Sequence, residues 1–538
     1  MVCGLRGRSN LATEELSLLN SVSIYPEGGL GEEKRTGAAS SSLTWKSIWS
    51  ASATVCSGLG RLVAGIIIAR MLGPEGTGRV VYLLWLSDTV TTLANFGFQT
   101  TLTRFYADLC GQGKPHQAAF LGRWIFLRYI TLILPGVAAL GSIVLFSGDL
   151  QTLRSAWMVL TVYYCLQGLN LLYQASLAGR QRFDLIAKVN LASSLLLVAG
   201  VAIGTYAFGV AGAIGGYLAG VALPAFLSFS LLRNTPRHVD LEPSLRRRVW
   251  SYAFYTWLAA VISAFVWSRM EFFFLKHYWG AHEVAMFSVG LSLAALAQQS
   301  LIFFSGFLMP HFSELHGKQD MLTLRDQYAR VTRLMAFILA PTCFLLAAVT
   351  PVLLPLMYGR SFTPAVPAAI VTIAFSVIGF AHSGSSVVYA MERTRFLALS
   401  GLVGAVLSVA AGLVVIPQAG AVGAAWSRGG VQFLMVTLAA WYLVTQLHMP
   451  YPIKAILQIS ASAAFPSLAV YTVLRWQPNP LLIPILLLIG AVLYFVLIQV
   501  FRVMPEEDYL ALVRGVERVS PAAAGGFRSV VTWKRQNA

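Results

Sequence analysis

From residue 47 onward the chain alternates between long apolar runs and short polar breaks. Fourteen runs can be drawn, at roughly 47–70, 79–103, 121–146, 156–178, 184–207, 211–232, 249–276, 284–308, 329–350, 365–390, 396–416, 420–445, 453–474 and 480–502. A helix of about 20 residues crosses a hydrocarbon core of roughly 30 Å, so each run is long enough to span a membrane. The pattern predicts an all-α polytopic membrane protein with fourteen transmembrane helices. Pro135, Pro224 and Pro341 fall inside runs and predict kinks, which bundles tolerate. Residues 1–44 carry no apolar run, mix charges of both signs and include a Ser40–Ser42 cluster, so a disordered tail without a secretory signal is expected. Residues 503–538 form a second tail. There Leu510, Val513 and Val516 recur at helical spacing beside Arg514 and Arg518, which predicts an amphipathic helix at the membrane surface.

Polar residues inside the apolar runs carry the functional signal. Arg61 sits in the middle of the first run, nine residues before Arg70, which places it about 13 Å below the membrane face at 1.5 Å per residue. In the second run Asp88, Thr92, Asn95 and Gln99 are spaced to share one helix face, and Tyr163, Gln167, Asn170 and Gln174 repeat that spacing in the fourth. A polar stripe facing lipid would leave its groups unpaired, so both stripes are expected to line a water-filled cavity. Arg269 and Arg428 each stand about 10 Å inside their runs. Such arginines either line a cavity or pair with carboxylates. Asp88 and Glu271 are the deepest acidic groups, and serve as candidates either for binding a coupling proton or sodium ion or for fixed counter-ions. Arg269 and Glu271 lie on nearly opposite helix faces, so each needs a partner on another helix. Ser288, Ser292 and Gln299 in the eighth run add hydroxyl and amide groups. Thr372, Ser376, Ser383 and Ser386 in the tenth are small enough to serve helix packing instead. Arg128 and Arg333, near the ends of their runs, fit snorkelling to the interface.

Composition agrees with the pattern. The chain is 57% hydrophobic and 11% charged, far from an ordinary soluble protein. Its net charge of +17 is read first as topology. Loops on the N-terminal tail's side carry eighteen lysines and arginines against six on the opposite side, which predicts cytoplasmic termini and no nucleic-acid partner. The five cysteines have no metal-ligand spacing and are read as reduced thiols. No phosphate loop, His-Glu-x-x-His or Gly-x-Ser-x-Gly motif appears, so no enzyme activity, metal or cofactor is expected beyond a coupling ion.

The chain also echoes itself. Gly73 and Gly280 coincide at an offset of about 207 residues, Arg180-Gln-Arg-Phe183 echoes Arg393-Thr-Arg-Phe396, and Gly209-Val-Ala-Gly-Ala213 echoes Gly420-Ala-Val-Gly-Ala424. Arg128…Pro135 likewise echoes Arg333…Pro341. Six spans separate the copies, an even number, so two halves running in the same direction are expected. The predicted division is an N-lobe at 45–233, a C-lobe at 248–447, and an appended pair of helices at 451–502. The repeat offset carries Arg61 to the neighbour of Arg269.

The phrase Ala69-Arg-Met-Leu-Gly-Pro-Glu-Gly-Thr-Gly78, the stretch Gly97-Phe-Gln-Thr-Thr-Leu-Thr-Arg104 and the Arg-x-Arg-Phe turns resemble the bacterial oligosaccharide flippases of the polysaccharide-export type, within the MATE-like superfamily. The resemblance covers roughly residues 45–500. In place of the family's Arg-x-Asp pair stands Arg269-Met-Glu271. It implies two six-helix lobes around a central cavity, alternating access, and an inner-membrane flippase for a lipid-diphosphate-linked oligosaccharide. Polysaccharide polymerase and glycosyltransferases are the implied partners. Peptidoglycan-precursor flippases and cation-coupled multidrug exporters are the rival readings. The residues expected to bind substrate are Arg61, Arg269, Arg428, Asn95, Gln99, Gln167, Asn170 and Gln174.

Overall fold

The computed structural model describes residues 35–146, 150–233, 242–267, 270–391, 393–501, 503 and 505. The chain divides into two units, Met1–Ile48 and Trp49–Ala538. Of the first, only the opening turns of one helix are described. That helix begins at Arg35, ahead of the expected end of the tail, while residues 1–34 and the expected amphipathic helix near Leu510 lie outside the described residues.

Every regular element described is helical. In order they are α1 (Arg35–Ala94), α2 (Phe98–Gly111), α3 (Pro115–Phe146), α4 (Leu150–Gly179), α5 (Phe183–Ser228), α6 (Ser230–Arg233), α7 (Pro243–Trp267), α8 (Glu271–Tyr278) and α9 (Ala281–Gln298). There follow α10 (Ile302–Gly317), α11 (Met321–Tyr358), α12 (Val366–Phe375), α13 (His382–Ala390), α14 (Thr394–Val414), α15 (Ile416–Thr445), α16 (Ile453–Trp476) and α17 (Ile483–Val500). Among the described residues nine helical stretches are long and apolar enough to cross a membrane. The chain is a multi-pass membrane protein.

Two of those stretches are double. Thr54–Ala94 and Phe183–Ser228, at 41 and 46 residues, would be about twice as long as a bilayer core is thick. Each is broken by a glycine outside helical geometry, Gly73 (φ 65, ψ −172) and Gly209 (φ 58, ψ −129). The chain turns back there. Ala64 and Ile68 share a core with Val80 and Leu83, and the arms of α5 press so closely that a Cβ on Gly212 would lie 1.7 Å from the Gly204 carbonyl oxygen. Small residues at such crossings let backbones approach where lipid supplies no hydrophobic drive.

The same breaks recur in the second half. Gly280 has φ 87 and ψ −169, matching Gly73, and Gly420 has φ 53 and ψ −132, matching Gly209. Positive φ also occurs at Gly113 and again at Gln319, immediately before α3 and α11 respectively. The weak sequence echoes thus mark matching turns of a repeated backbone.

Apolar packing follows the repeat. Residues between Ala64 and Ile214 build one core, residues between Phe98 and Ala253 a second, and Phe272–Val503 with Ala69 the largest. The first turns of α7 therefore pack with the first half through Val249 and Ala253. The last two helices lean on α11, where Val349 meets Val470 and Leu474, and Tyr494 Oη donates to the Phe337 carbonyl at 2.8 Å. Beside the Gly73 turn, Arg70 reaches from α1 to the end of α11. Its Nε donates to the Met357 carbonyl at 2.8 Å and its Nη2 to that of Leu356.

Candidate functional site

Between the halves lies a cavity of about 600 Å³, walled by α1, α4 and α5 from one side and by α8, α9 and α11 from the other. Its polar lining begins with the interrupted first helix. Arg61 and Asp88 both face it, one on each arm of α1. Among the described residues no carboxylate lies within ion-pair distance of Arg61. Asp88 accepts a long contact from Tyr163 Oη at 3.5 Å.

The α4 stripe faces the cavity along its length through Tyr163, Gln167, Asn170 and Gln174. Gln174 Nε2 donates to Asn170 Oδ1 at 2.9 Å, and Asn170 Nδ2 donates to Gln167 Oε1 at 3.1 Å. This chain of amides orients every member and leaves the Gln167 amide nitrogen and the Gln174 carbonyl for a ligand. Aromatic faces complete the wall: Trp85, Tyr163, Tyr217, Phe272 and Tyr358. Trp85 and Phe272 meet edge to face across the halves at 6.3 Å. Ser288, Ser292 and Gln299 supply the second half's polar groups.

The expected stripe on the second run reaches the cavity only in part. Asp88 and Thr92 line it, whereas Asn95 and Gln99 do not. The helix stops at Ala94, and Phe96 (φ 46) and Gly97 (φ 70) redirect the chain, so the phase that would carry Asn95 and Gln99 round to the same face is lost. Phe96 instead stacks on Trp257 at 5.4 Å, anchoring the turn to α7. Asn95 is left with a buried, unpartnered Oδ1.

Arg428 also lies outside the cavity wall. Its Nη1 meets Glu271 Oε2 at 3.5 Å, with side chains only 15% and 9% exposed, so α15 and α8 are joined by a buried ion pair. The depth of Arg428 follows from its place in the run; its direction is set by Glu271. Arg269 lies outside the described residues. Of the tenth-run hydroxyls, Ser383 bonds Thr332 Oγ1 at 2.8 Å between helices, and Thr372, Ser376 and Ser386 bond carbonyls of their own turn, all of which is packing. Arg128 rests against Trp124 at 5.9 Å.

Three lining residues on α5 escaped the reading of the sequence: Asn190, Ser193 and Ser194. Their spacing of three and four, continued by Leu197, is a helix face. The signal was present, muted by small side chains in a very apolar run.

An all-helical membrane bundle of two related halves, turning at paired glycines around a polar cavity, is a MATE-like fold. Residues 67–367, more than half of the chain, match the family described as polysaccharide biosynthesis protein, and the chain belongs to that family. A search of curated proteins found no match. Among solved structures the chain is similar to the lipid II flippase MurJ in an inward closed conformation, with a TM-score of 0.69 at 14% identity over 84% of this chain and 98% of that one. It is similar to an inward-facing multidrug resistance MATE family transporter of the MOP superfamily, at a TM-score of 0.57 and 14% identity over 72% and 94% of the two chains. A MOP superfamily transporter from Pyrococcus furiosus, described by a binding pocket of reverse polarity, aligns at 0.53 and 14% identity over 74% and 93%. At such identities the likeness is one of fold.

Proposed function

We propose that this protein flips a lipid-diphosphate-linked oligosaccharide of the undecaprenyl type from the cytoplasmic to the outer leaflet. The two halves rock about the central cavity in alternating access. The observation that carries the reading is an arginine, Arg61, with no carboxylate within ion-pair distance among the described residues, facing a cavity that also presents Asp88, amides, hydroxyls and aromatic rings. A guanidinium offers a diphosphate planar, two-pronged hydrogen bonds. The α4 amides suit sugar hydroxyls, and Trp85 and Tyr217 offer faces for sugar rings. Membership of a polysaccharide biosynthesis family fits this substrate class.

Fourteen spans in the inner membrane go with this reading, and the arginine excess in the loops of one side supports cytoplasmic termini. Asp88, in the same cavity as Arg61, is the better-placed candidate for a coupling proton or sodium ion, since Glu271 is occupied by Arg428. Glycosyltransferases that build the glycan and a polymerase that consumes it are the natural partners, and nucleic acid is not one. A peptidoglycan precursor presents the same diphosphate to Arg61 and is the second reading. A cation exporter needs a cavity dominated by carboxylates, and here Asp88 is offset by Arg61.

The deciding experiment measures lipid-linked oligosaccharide on the inner leaflet of cells carrying Arg61→Ala, together with the amount of protein in the membrane. Accumulation at normal protein level is the expected result; unimpaired flipping refutes the proposal. Reconstituted vesicles loaded with the oligosaccharide lipid or with a peptidoglycan precursor separate the two readings. Asp88→Asn in the same vesicles tests coupling, which fails as an idea if pH and sodium dependence are unchanged.

A further inference from the structure

A second cavity, of about 610 Å³, opens where α2 meets α7, at the end of the bundle that carries the arginine excess. The proposed transport does not use it. Arg104 from α2 and Arg247 and Arg248 from α7 line it, with Ser251, Tyr252 and Tyr255. None of its lining residues is acidic. Asp108, one turn along from Arg104, accepts from Gln112 Nε2 at 3.1 Å, and among the described residues none of the three arginines has a carboxylate within ion-pair distance.

Three cations around one hollow repel each other and are relieved by an anion placed among them. Arginines serving only as topology signals would extend separately into water. Here aromatic rings lie against two of the three, Arg104 and Arg248. The Arg104 guanidinium stands 4.4 Å over the Tyr252 ring and 5.6 Å from that of Phe105, and Arg248 lies 6.0 Å from the same Phe105 ring. Stacking fixes the guanidinium plane and leaves its N–H edge, the hydrogen-bonding side, available. The lining itself shows where the pocket sits: Tyr255 is 67% exposed, as aromatics at a membrane–water boundary are. A ligand there has its charged head at the arginines and its tail in lipid.

We infer that this pocket binds the phosphate of an anionic phospholipid headgroup from the cytoplasmic leaflet, whose surface is rich in such lipids. The three guanidinium groups take the phosphate, and the hydroxyls of Ser251, Tyr252 and Tyr255 take the remaining headgroup oxygens. A zwitterionic headgroup brings its own cation and is disfavoured.

The test uses the full-length protein in detergent, titrated with dioleoylphosphatidylglycerol or dioleoylphosphatidylcholine, with retained lipid counted by native mass spectrometry. The wild type should keep phosphatidylglycerol in preference to phosphatidylcholine. Affinity for phosphatidylglycerol, read from the titration, should fall on the order of a hundredfold in the triple variant Arg104→Gln/Arg247→Gln/Arg248→Gln. Arg247→Lys/Arg248→Lys, which keeps the charge, should hold most of it and guards against misfolding. Arg61→Ala should leave it unchanged, so the central cavity's role is tested apart. Equal retention by wild type and the glutamine variant overturns the inference. In a second arm undecaprenyl diphosphate competes with phosphatidylglycerol. Displacement through the same arginines at a tenth of the phospholipid concentration would mean the site receives the carrier lipid, and would overturn the phospholipid assignment.

Discussion

In the first half of the bundle Arg61 and Asp88 both face the central cavity, whereas in the second half Glu271 and Arg428 face each other at 3.5 Å in its packed interior. The backbones around them are near copies, turning at Gly73 and Gly280 and again at Gly209 and Gly420 with closely similar dihedral angles. The glycine turns are therefore alike in the two halves, while the charged side chains beside them are placed differently. Depth in the membrane does not decide whether a charged side chain meets substrate; the availability of a partner does. Arg428, with a carboxylate on the next helix, is held in the packing; Arg61, with none within ion-pair distance among the described residues, faces the cavity.

The widest break in that comparison comes from the ion pair. Arg428→Leu or Glu271→Leu alone strands a buried charge and should destabilise the protein by about 3–5 kcal/mol, read as a lower thermal midpoint in detergent. The double variant should recover most of the loss. A single variant as stable as wild type would mean that Arg428 is free to serve the cavity. Arg61→Ala should do the reverse, leaving the thermal midpoint in place and weakening substrate binding by about 1.5–3 kcal/mol, the worth of hydrogen bonds to a charged group. Arg61→Lys should restore part of the binding, because charge survives and the planar fork does not.

Smaller effects sharpen the symmetry itself. Gly73→Ala and Gly280→Ala place a side chain at φ 65 and 87, and each should cost about 1–2 kcal/mol in thermal unfolding, alike in the two halves. A cost in one half alone would deny that the hinges are equivalent. The smallest effect distinguishes the helix starts after Gly113 and Gln319. Asp320 caps α11 by accepting from the Thr323 N–H at 3.1 Å, while α3 begins on Pro115 without such a cap. Hydrogen bonds from Thr323, side chain first and backbone second, hold the Asp320 carboxyl below the usual carboxylate range. A lowered value means that the cap's stabilisation is complete above the ordinary aspartate pKa of about 4 and is lost as pH falls through the lowered one. Amide-exchange protection in the first turn of α11 should drop over that acidic interval. The first turn of α3 should not respond, and Asp320→Asn should remove the transition.

The helices and the α4 stripe were legible in the sequence because each rests on local periodicity, and the repeat because its turn residues recur in the same order at a near-constant offset. Tyr163, Gln167, Asn170 and Gln174 lie on one uninterrupted helix, so their spacing sufficed to place them together. Asn95 and Gln99 share that spacing, and the turn at Phe96 and Gly97 defeats it. The Asn95-Phe-Gly97 triplet was a turn signal, outweighed by the apolar residues on either side. The Glu271–Arg428 contact joins positions 157 residues apart, and no local rule chooses between that pairing and a cavity-facing arginine. Asn190, Ser193 and Ser194 went unread because their side chains are small and stand in a very apolar run, beside Leu195, Leu196 and Leu197.

The contact between Arg70 and the end of α11 has a consequence for how the halves come apart. Its acceptors, the Met357 and Leu356 carbonyls, are peptide oxygens at a helix C-terminus, where partial negative charge is built into the backbone. Such acceptors do not titrate, and no sodium ion or proton can discharge them as it would a carboxylate. This fastening is therefore blind to acidity. If an ion drives the proposed transport, it has to loosen this contact indirectly, by moving α1 or α11 as a lever. Crosslinking across the seam, from a cysteine at position 71 to one at 358, should then report the same fraction of closed molecules at pH 6 and pH 8 in Asp88→Asn protein. A pH-dependent fraction in that variant would place a titrating group at the seam itself.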